Sequence, residues 1–180
     1  MSKRIVFNLI VSVIAVQVFT SVSATDVAMD EHAILLSIEA IHEGSELVER
    51  GYPISSGQPD PVTLVLLKEA GYKAIIDMRR LSEDRGFNEP AVVGDLGMNY
   101  YSLPVDGAAG VTFENAMRLD LILKTIDGPV FLHCKSGNRV GALLALRASI
   151  HGASDQDALV IGKKGGVTSH ERAVRQRLAE

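Results

Sequence analysis

An α/β fold with a central, mostly parallel sheet flanked by helices is predicted by three features of the sequence. Short apolar runs alternate with longer segments of helical character from Asp60 to Ile150. Three of the runs (72–78, 99–103 and 129–132) begin within two residues of a glycine, the residue that ordinarily closes a helix. Helix-starting residues precede the longer segments: Asp60-Pro61, Thr112 and Ser154. Alternation of this kind makes crossover connections and so a largely parallel sheet.

Taken in order, residues 51–58 are rich in Gly, Ser and Pro and read as a loop. Asp60 is placed to cap a helix with Pro61 in its first turn, Val62, Leu66 and Leu67 facing the core and Gly71 ending it. Residues 72–78, with Ala74-Ile75-Ile76 at the centre, read as a buried strand. A polar stretch, 79–89, leads to a helix over about 90–96 that stops at Gly97, and 99–103 is the next strand. After a flexible loop, 104–110, Thr112 caps a helix with apolar positions at Phe113, Met117, Leu121, Ile122 and Ile126. Gly128-Pro129 breaks it before the strand 129–132, and a helix follows from about Ala142. Ser154 with Asp157, and Thr168 with Glu171, have the capping spacing for two final helices.

The first 24 residues stand apart from this globule. Lys3 and Arg4 precede a mostly apolar run ending at Val22-Ser23-Ala24, the pattern of a secretory signal peptide. An uncleaved anchor is the alternative, but the run is shorter than the ~20 residues a spanning helix needs, and Asn8 and Gln17 interrupt it. The expected organisation is a signal peptide over 1–24, a leader with some helix over 25–54, and one domain over 55–180. The expected location is the periplasm or outside the cell, with no stable membrane anchor after cleavage. Removing the signal deletes two bases and no acid, making a chain of net charge −4 more acidic still. Such a charge suits neither nucleic acid nor an anionic membrane. Cys134 is the only cysteine, so no internal disulfide can form. An exposed free thiol would be vulnerable in an oxidising compartment, so this one is either buried or chemically used.

The residues that carry chemistry are His133-Cys134-Lys135-Ser136-Gly137-Asn138-Arg139-Val140-Gly141. They lie between an apolar strand and an apolar helix, so Cys134 occupies a strand-to-helix turn. Backbone N–H groups of such a turn converge on one spot and attract an anion, an effect the helix dipole reinforces. Gly137 suits tight curling, and Arg139 adds a fork for two oxygens of a phosphate or sulfate. The same field stabilises a thiolate and makes Cys134 a nucleophile. The plain alternative is a buried cysteine packing as a small hydrophobe. The remaining histidines, at 32, 42, 151 and 170, show no metal-ligand spacing, and neither metal nor cofactor is expected.

This loop resembles the phosphate-binding loop of cysteine-dependent, dual-specificity-type protein phosphatases. Similar in order and spacing are Ser56-Gly57-Gln58-Pro59, the stretch Ala70-Gly71-Tyr72-Lys73-Ala74-Ile75-Ile76-Asp77-Met78-Arg79, and Leu96-Gly97-Met98-Asn99-Tyr100-Tyr101-Ser102-Leu103-Pro104-Val105. The bacterial beta-lactamase-hydrolase-like or exported tyrosine-phosphatase-like branch is the nearest resemblance, over about 55–150. It implies a three-layer sandwich of the cysteine-phosphatase kind and hydrolysis of a phosphorylated protein or small phosphoester through a phosphocysteine. It also implies Cys134 as nucleophile, Arg139 as phosphate ligand, and Asp106, on the acid loop after the third strand, as general acid. Asp106 read alone is equally an ordinary turn residue; Glu83 and Asp84 are the fallback acids. His133, Lys135, Ser136, Gly137 and Asn138 are expected to shape the substrate pocket. His133 would orient the loop, and Arg79 would bind a negative group or brace the loop in an ion pair.

Two departures matter. Phosphatases of this kind usually have one residue more between Cys and Arg than the four found here, and a hydroxyl residue where Val140 stands. The shorter spacing is common in rhodanese-type sulfurtransferases. Two rival functions follow: sulfur transfer through a persulfide on Cys134, and a non-catalytic phosphate-binding pseudophosphatase.

Overall fold

The computed structural model describes residues 54–180; the expected signal peptide and the expected leader up to residue 53 lie outside the described residues. Four strands form the sheet: β1 (Ile54–Ser56), β2 (Ala74–Asp77), β3 (Asn99–Ser102) and β4 (Val130–His133). Their spatial order is β1-β4-β2-β3, and every pairing is parallel. The register places Asp77 opposite both Ser102 and His133, so the carboxyl ends of the three strands lie level. In open parallel sheets that edge is where ligands bind.

Among the described residues six helices accompany the sheet: α1 (Pro61–Glu69), α2 (Glu89–Asp95), α3 (Phe113–Lys124), α4 (Asn138–Ile150), α5 (Asp155–Lys164) and α6 (Glu171–Leu178). Alternate side chains of the central strands point to opposite faces. Ile75 and Phe131 join Leu64 and Leu67 of α1, Val93 of α2, and Tyr72 and Met98. Ala74, Ile76 and Leu132 join Leu119 of α3 and Val140 and Leu143 of α4. This is the expected three-layer arrangement, with α1 and α2 on one face and α3 and α4 on the other. Each fully buried Leu or Ile contributes about 1.5–3 kcal/mol. A second helical layer packs on α4, where Ala142, Ala145 and Leu146 meet Leu159 of α5 and Val174 of α6.

Most start signals act as read. The side chains of Asp60, Thr112 and Ser154 accept hydrogen bonds from the backbone N–H of Thr63, Asn115 and Asp157. Four expectations need correction. Residues 54–56, read as loop, pair with β4 as an edge strand; three residues are too few to show periodicity. Along α1 the buried positions are Leu64 and Leu67, while Val62 is exposed. On α3, Met117 and Leu121 face solvent and Ala116, Leu119 and Asp120 are buried. Asp120 confuses that pattern because its buried carboxylate is held by Arg147, Lys124 and His151. Thr168 does not cap the last helix; its hydroxyl accepts from Asn138, and His170 occupies the N-cap position.

Helix α4 lies unusually close to the turn after α5. A Cβ at Gly141 would meet the Val167 nitrogen at 2.3 Å and the Gly162 oxygen at 2.4 Å. Gly166, with φ +95, lies against Gly137 beside the same contact, where a Cβ would meet the Gly137 Cα at 3.2 Å. The absence of side chains here lets the C-terminal segment sit directly against the cysteine-bearing loop.

Candidate active site

The loop 134–137 links β4 to α4 at the carboxyl edge of the sheet, flanked by β1 and β2. Gly137 has φ +79, a left-handed conformation that favours glycine, and its carbonyl accepts the first helical bond from Gly141. Gly57, just after β1, bridges to Ser136 and steadies the loop from outside. Cys134 is buried, 1 % exposed, in the loop whose following residues line an open pocket of about 260 Å³. The loop supplies Lys135, Ser136, Asn138 and Arg139 to the wall of that pocket. The segment after β2 supplies Arg80 and Glu83, and the segment after β3 supplies Asp106 and Gly107. Ser169 and His170, just before α6, complete it.

Arg139 is fixed before any ligand arrives. Nη1 donates to Glu83 Oε1 at 2.6 Å and reaches the Met78 and Val105 carbonyls at 3.3 and 3.2 Å. Nη2 donates to Glu83 Oε2 at 2.9 Å. Three acceptors thus crowd Nη1, and the guanidinium also bonds Cys134 within its own loop. The Glu83 hydrogen bonds, against an opposing effect of burial, hold the guanidinium firmly charged. Reciprocally, the Arg139 hydrogen bonds pull the Glu83 carboxyl down to about 2, against a smaller opposing effect of burial. Because this value lies below that of an ordinary glutamate, the clamp's stabilisation is intact above the usual carboxylate range and is lost as pH falls through about 2. Glu83 therefore holds no proton to give at working pH. Its expected fallback role as an acid is replaced by an orienting one.

A buried ionic network underlies the loop. His133 is fully buried, with Nε2 2.8 Å from Glu89 Oε1 and Nδ1 3.4 Å from the Cys134 carbonyl oxygen. Asp77 accepts from the Arg79 N–H on one oxygen and from Arg85 Nε and Tyr100 Oη on the other. Glu89 Oε2 accepts from Gln58. Asp77, Glu89 and His133 present ligand atoms within 4.8 Å of one another. Both Asp77 oxygens and Glu89 Oε2 accept from protein donors, whereas the buried Glu89 Oε1 and His133 Nε2 face each other without a hydrogen bond of their own. Burial, then the bond to Asp77, pushes the Tyr100 phenol up and keeps it a donor.

The expected site residues thus separate. Lys135, Ser136, Asn138, Arg139 and Asp106 line the pocket, while Cys134 is buried behind its wall and is not among the lining residues. Gly137 shapes the turn, and His133 lies below the loop, where it orients rather than touches a ligand. Arg79 is not part of the pocket wall. Its guanidinium donates to Gln58 Oε1 and to the Asp84 carbonyl at 2.6 Å, and Nε lies 3.5 Å from Glu83 Oε2. Arg79 therefore braces the segment that carries Glu83, the ion-pair alternative of the sequence reading. Asp84 accepts from the Gly86 N–H and lies outside the pocket wall. Asp106 is exposed at the rim, its Oδ1 2.9 Å from Arg80 Nη1. The preceding carbonyl, Val105, is the one held by Arg139. Sequence reasoning missed Glu83 as the arginine's clamp, Arg80, the partners of His133, and the Ser169-His170 wall. Only the acid-rich stretch 83–89 hinted at them.

Residues 44–177 match the family model described as DSP-PTPase phosphatase fused to NAD+ kinase. The chain is 32% identical over 101 residues to a beta-lactamase hydrolase-like protein of Agrobacterium fabrum, covering 54% of this chain and 23% of that protein. It is likewise 32% identical over 108 residues to the counterpart in Xylella fastidiosa, covering 57% and 24%. The chain thus spans about a quarter of the length of these curated relatives. Among solved structures, a Neisseria meningitidis protein assigned as a phosphatase superposes with TM-score 0.59 at 18% identity, covering 70% of this chain and 92% of that one. The P. aeruginosa protein TpbA, in complex with pTyr, superposes with TM-score 0.50 at 22% identity, covering 71% and 79%. These likenesses establish the three-layer phosphatase fold. Among the described residues, no helix is long and apolar enough to cross a membrane.

Proposed function

We propose that this chain, which belongs to the family of DSP-PTPase phosphatases fused to NAD+ kinase, hydrolyses phosphate monoesters through Cys134. The observation that carries the reading is Arg139 on the pocket wall, held by a bidentate pair with Glu83 and bonded to the buried Cys134 of the same loop. In the first step the Cys134 thiolate attacks phosphorus, an S–P bond forms, and the P–O bond to the alcohol or phenol breaks. Arg139 and the loop N–H groups hold the equatorial oxygens as charge spreads over them. Asp106 gives its proton to the leaving oxygen. Its carboxylate then takes a proton from the attacking water, the S–P bond breaks, and phosphate and thiolate are restored. Ser136, on the pocket wall, is the nearest substitute for the hydroxyl missing at Val140.

The substrate is a phosphorylated protein or a small phosphoester; the complex of TpbA with pTyr favours the former. The rival supported by a specific feature is sulfur transfer, because four residues separate Cys134 from Arg139. Turnover of p-nitrophenyl phosphate without transfer of sulfur from thiosulfate to cyanide is the expected result. The reverse pattern would replace the reading by sulfur transfer, and tight phosphate binding with neither activity would make the chain a pseudophosphatase.

The signal-like start at 1–24 supports export to the periplasm or beyond. N-terminal sequencing of protein from an exporting cell should find a mature end near Thr25. Recovery of an intact Met1 end in the membrane fraction would refute export.

A further inference from the structure

The pocket wall furthest along the chain is built with more care than a chance contact needs. Asn138, in the first turn of α4, accepts from the backbone N–H of Thr168 at 2.8 Å and of His170 at 3.2 Å. Its amide donates to Thr168 Oγ1 at 2.7 Å. One side chain of the cysteine loop thus ties down the segment that carries His170, beneath which Gly137 and Gly166 touch. His170 is half-buried on the pocket wall, beside Arg139. No hydrogen bond from its ring to protein is formed among the described residues, and it lends no side-chain cap to α6. Structure is spent on placing this imidazole, and the imidazole serves no structural bond.

We propose that His170 is a further ligand of the substrate's phosphoryl group, and that binding of the anion loads a proton onto its ring. The inference rests on the phosphatase reading and adds a residue to it. An imidazole offers one N–H to a phosphoryl oxygen when neutral and a full positive charge when protonated. The charged form of the ring is opposed by the protein itself, first by burial and then by Arg139. The other facing groups leave that balance in place. Lys135 and Arg80 are cationic. Glu83 is committed to Arg139 and Asp106 to Arg80. On the His170 side, Glu171 is bonded to Arg175 and paired with Lys163, and Arg172 is cationic. A dianion in the pocket supplies the missing counter-charge, so the ring takes a proton from solvent as the anion binds.

Sulfate is the probe, because it is not turned over and does not titrate between pH 5 and 8. The ring proton resonances of the unsubstituted full chain are titrated with and without saturating sulfate, and His170 is assigned by its disappearance in His170→Gln. Its titration midpoint should rise by about one pH unit in sulfate, the scale of an opposite charge a few ångströms away. Sulfate affinity should tighten several-fold from pH 8 to pH 5 in the unsubstituted chain, and this slope should flatten in His170→Gln. A midpoint unmoved by sulfate, while the loop amide resonances still report binding, overturns the proposal and leaves the phosphatase reading standing. Absence of any sulfate binding at the loop overturns the proposal too. Turnover of p-nitrophenyl phosphate, measured separately, then decides whether the phosphatase reading falls with it.

Discussion

Replacing Cys134 with serine is expected to remove turnover by roughly 10⁶-fold, the scale seen when an enzyme loses its covalent nucleophile. A serine hydroxyl at this position has no adjacent base to activate it. His133 lies beneath the loop, and its Nε2 is directed at Glu89, away from the pocket. The same substitution should leave phosphate or vanadate affinity within a few-fold of the parent, or tighten it. The reason is that Arg139 loses one partner, Cys134, and keeps the others. Glu83 and the carbonyls of Met78 and Val105 hold it. Nor do the loop N–H groups depend on sulfur, since Gly137, Gly57 and Asn138 set the backbone. Loss of the thiolate also removes a negative charge from the base of an anion site. The measurement is single-turnover and steady-state kinetics beside a phosphate binding isotherm. A Cys134→Ser chain that retained full activity would end the covalent mechanism, and one that lost binding and turnover together would mean the thiolate organises the loop.

What the sequence disclosed, and what it did not, follows from the range over which each interaction acts. The loop chemistry was legible because Cys134, Gly137 and Arg139 are joined by one short turn, whose conformation is set locally. Asp60 and Ser154 were legible as caps because each acts on an N–H three residues away. The Glu83 clamp was not, because it spans 56 residues and looks in sequence like any acid in a polar stretch. The same holds for His133 with Glu89, and for Asn138 with Thr168, where a hydroxyl at a capping spacing is claimed by a distant amide. Apolar positions on α3 misled for a different reason. Its inner face takes in Asp120, whose charge is neutralised by partners on α4 and the residue after it, so the polar residue lies inside and Met117 and Leu121 outside. Family resemblance placed Asp106 and Arg79 near the pocket. Only the contact geometry separates a rim carboxylate from a guanidinium turned to Gln58 and Asp84.

Asp106→Asn is expected to lower kcat by roughly 10²–10⁴-fold on alkyl or phenyl phosphates, the usual worth of general acid catalysis. An alkoxide is a poor leaving group and needs the proton; a nitrophenolate leaves with little help, so its loss should be smaller. The structure sharpens the choice of residue. Glu83 is held deprotonated by Arg139, and Asp84 lies outside the pocket wall, so Asp106 is the remaining carboxylate on that wall. Its backbone is anchored, since the neighbouring Val105 carbonyl bonds Arg139, while its side chain is exposed and bonded to Arg80. Movement of that carboxylate from Arg80 toward the leaving oxygen needs a side-chain rotation and no rebuilding of the loop. Because the acid must be protonated to act, the rate should fall as pH rises past its titration, and that basic arm should flatten in Asp106→Asn. Substrate affinity should change little, because asparagine is nearly isosteric and Arg139 still grips the phosphate. The pair of substrates, measured across pH, separates the outcomes. Equal and small losses on both, with the basic arm intact, would reduce Asp106 to a turn residue that holds Arg80.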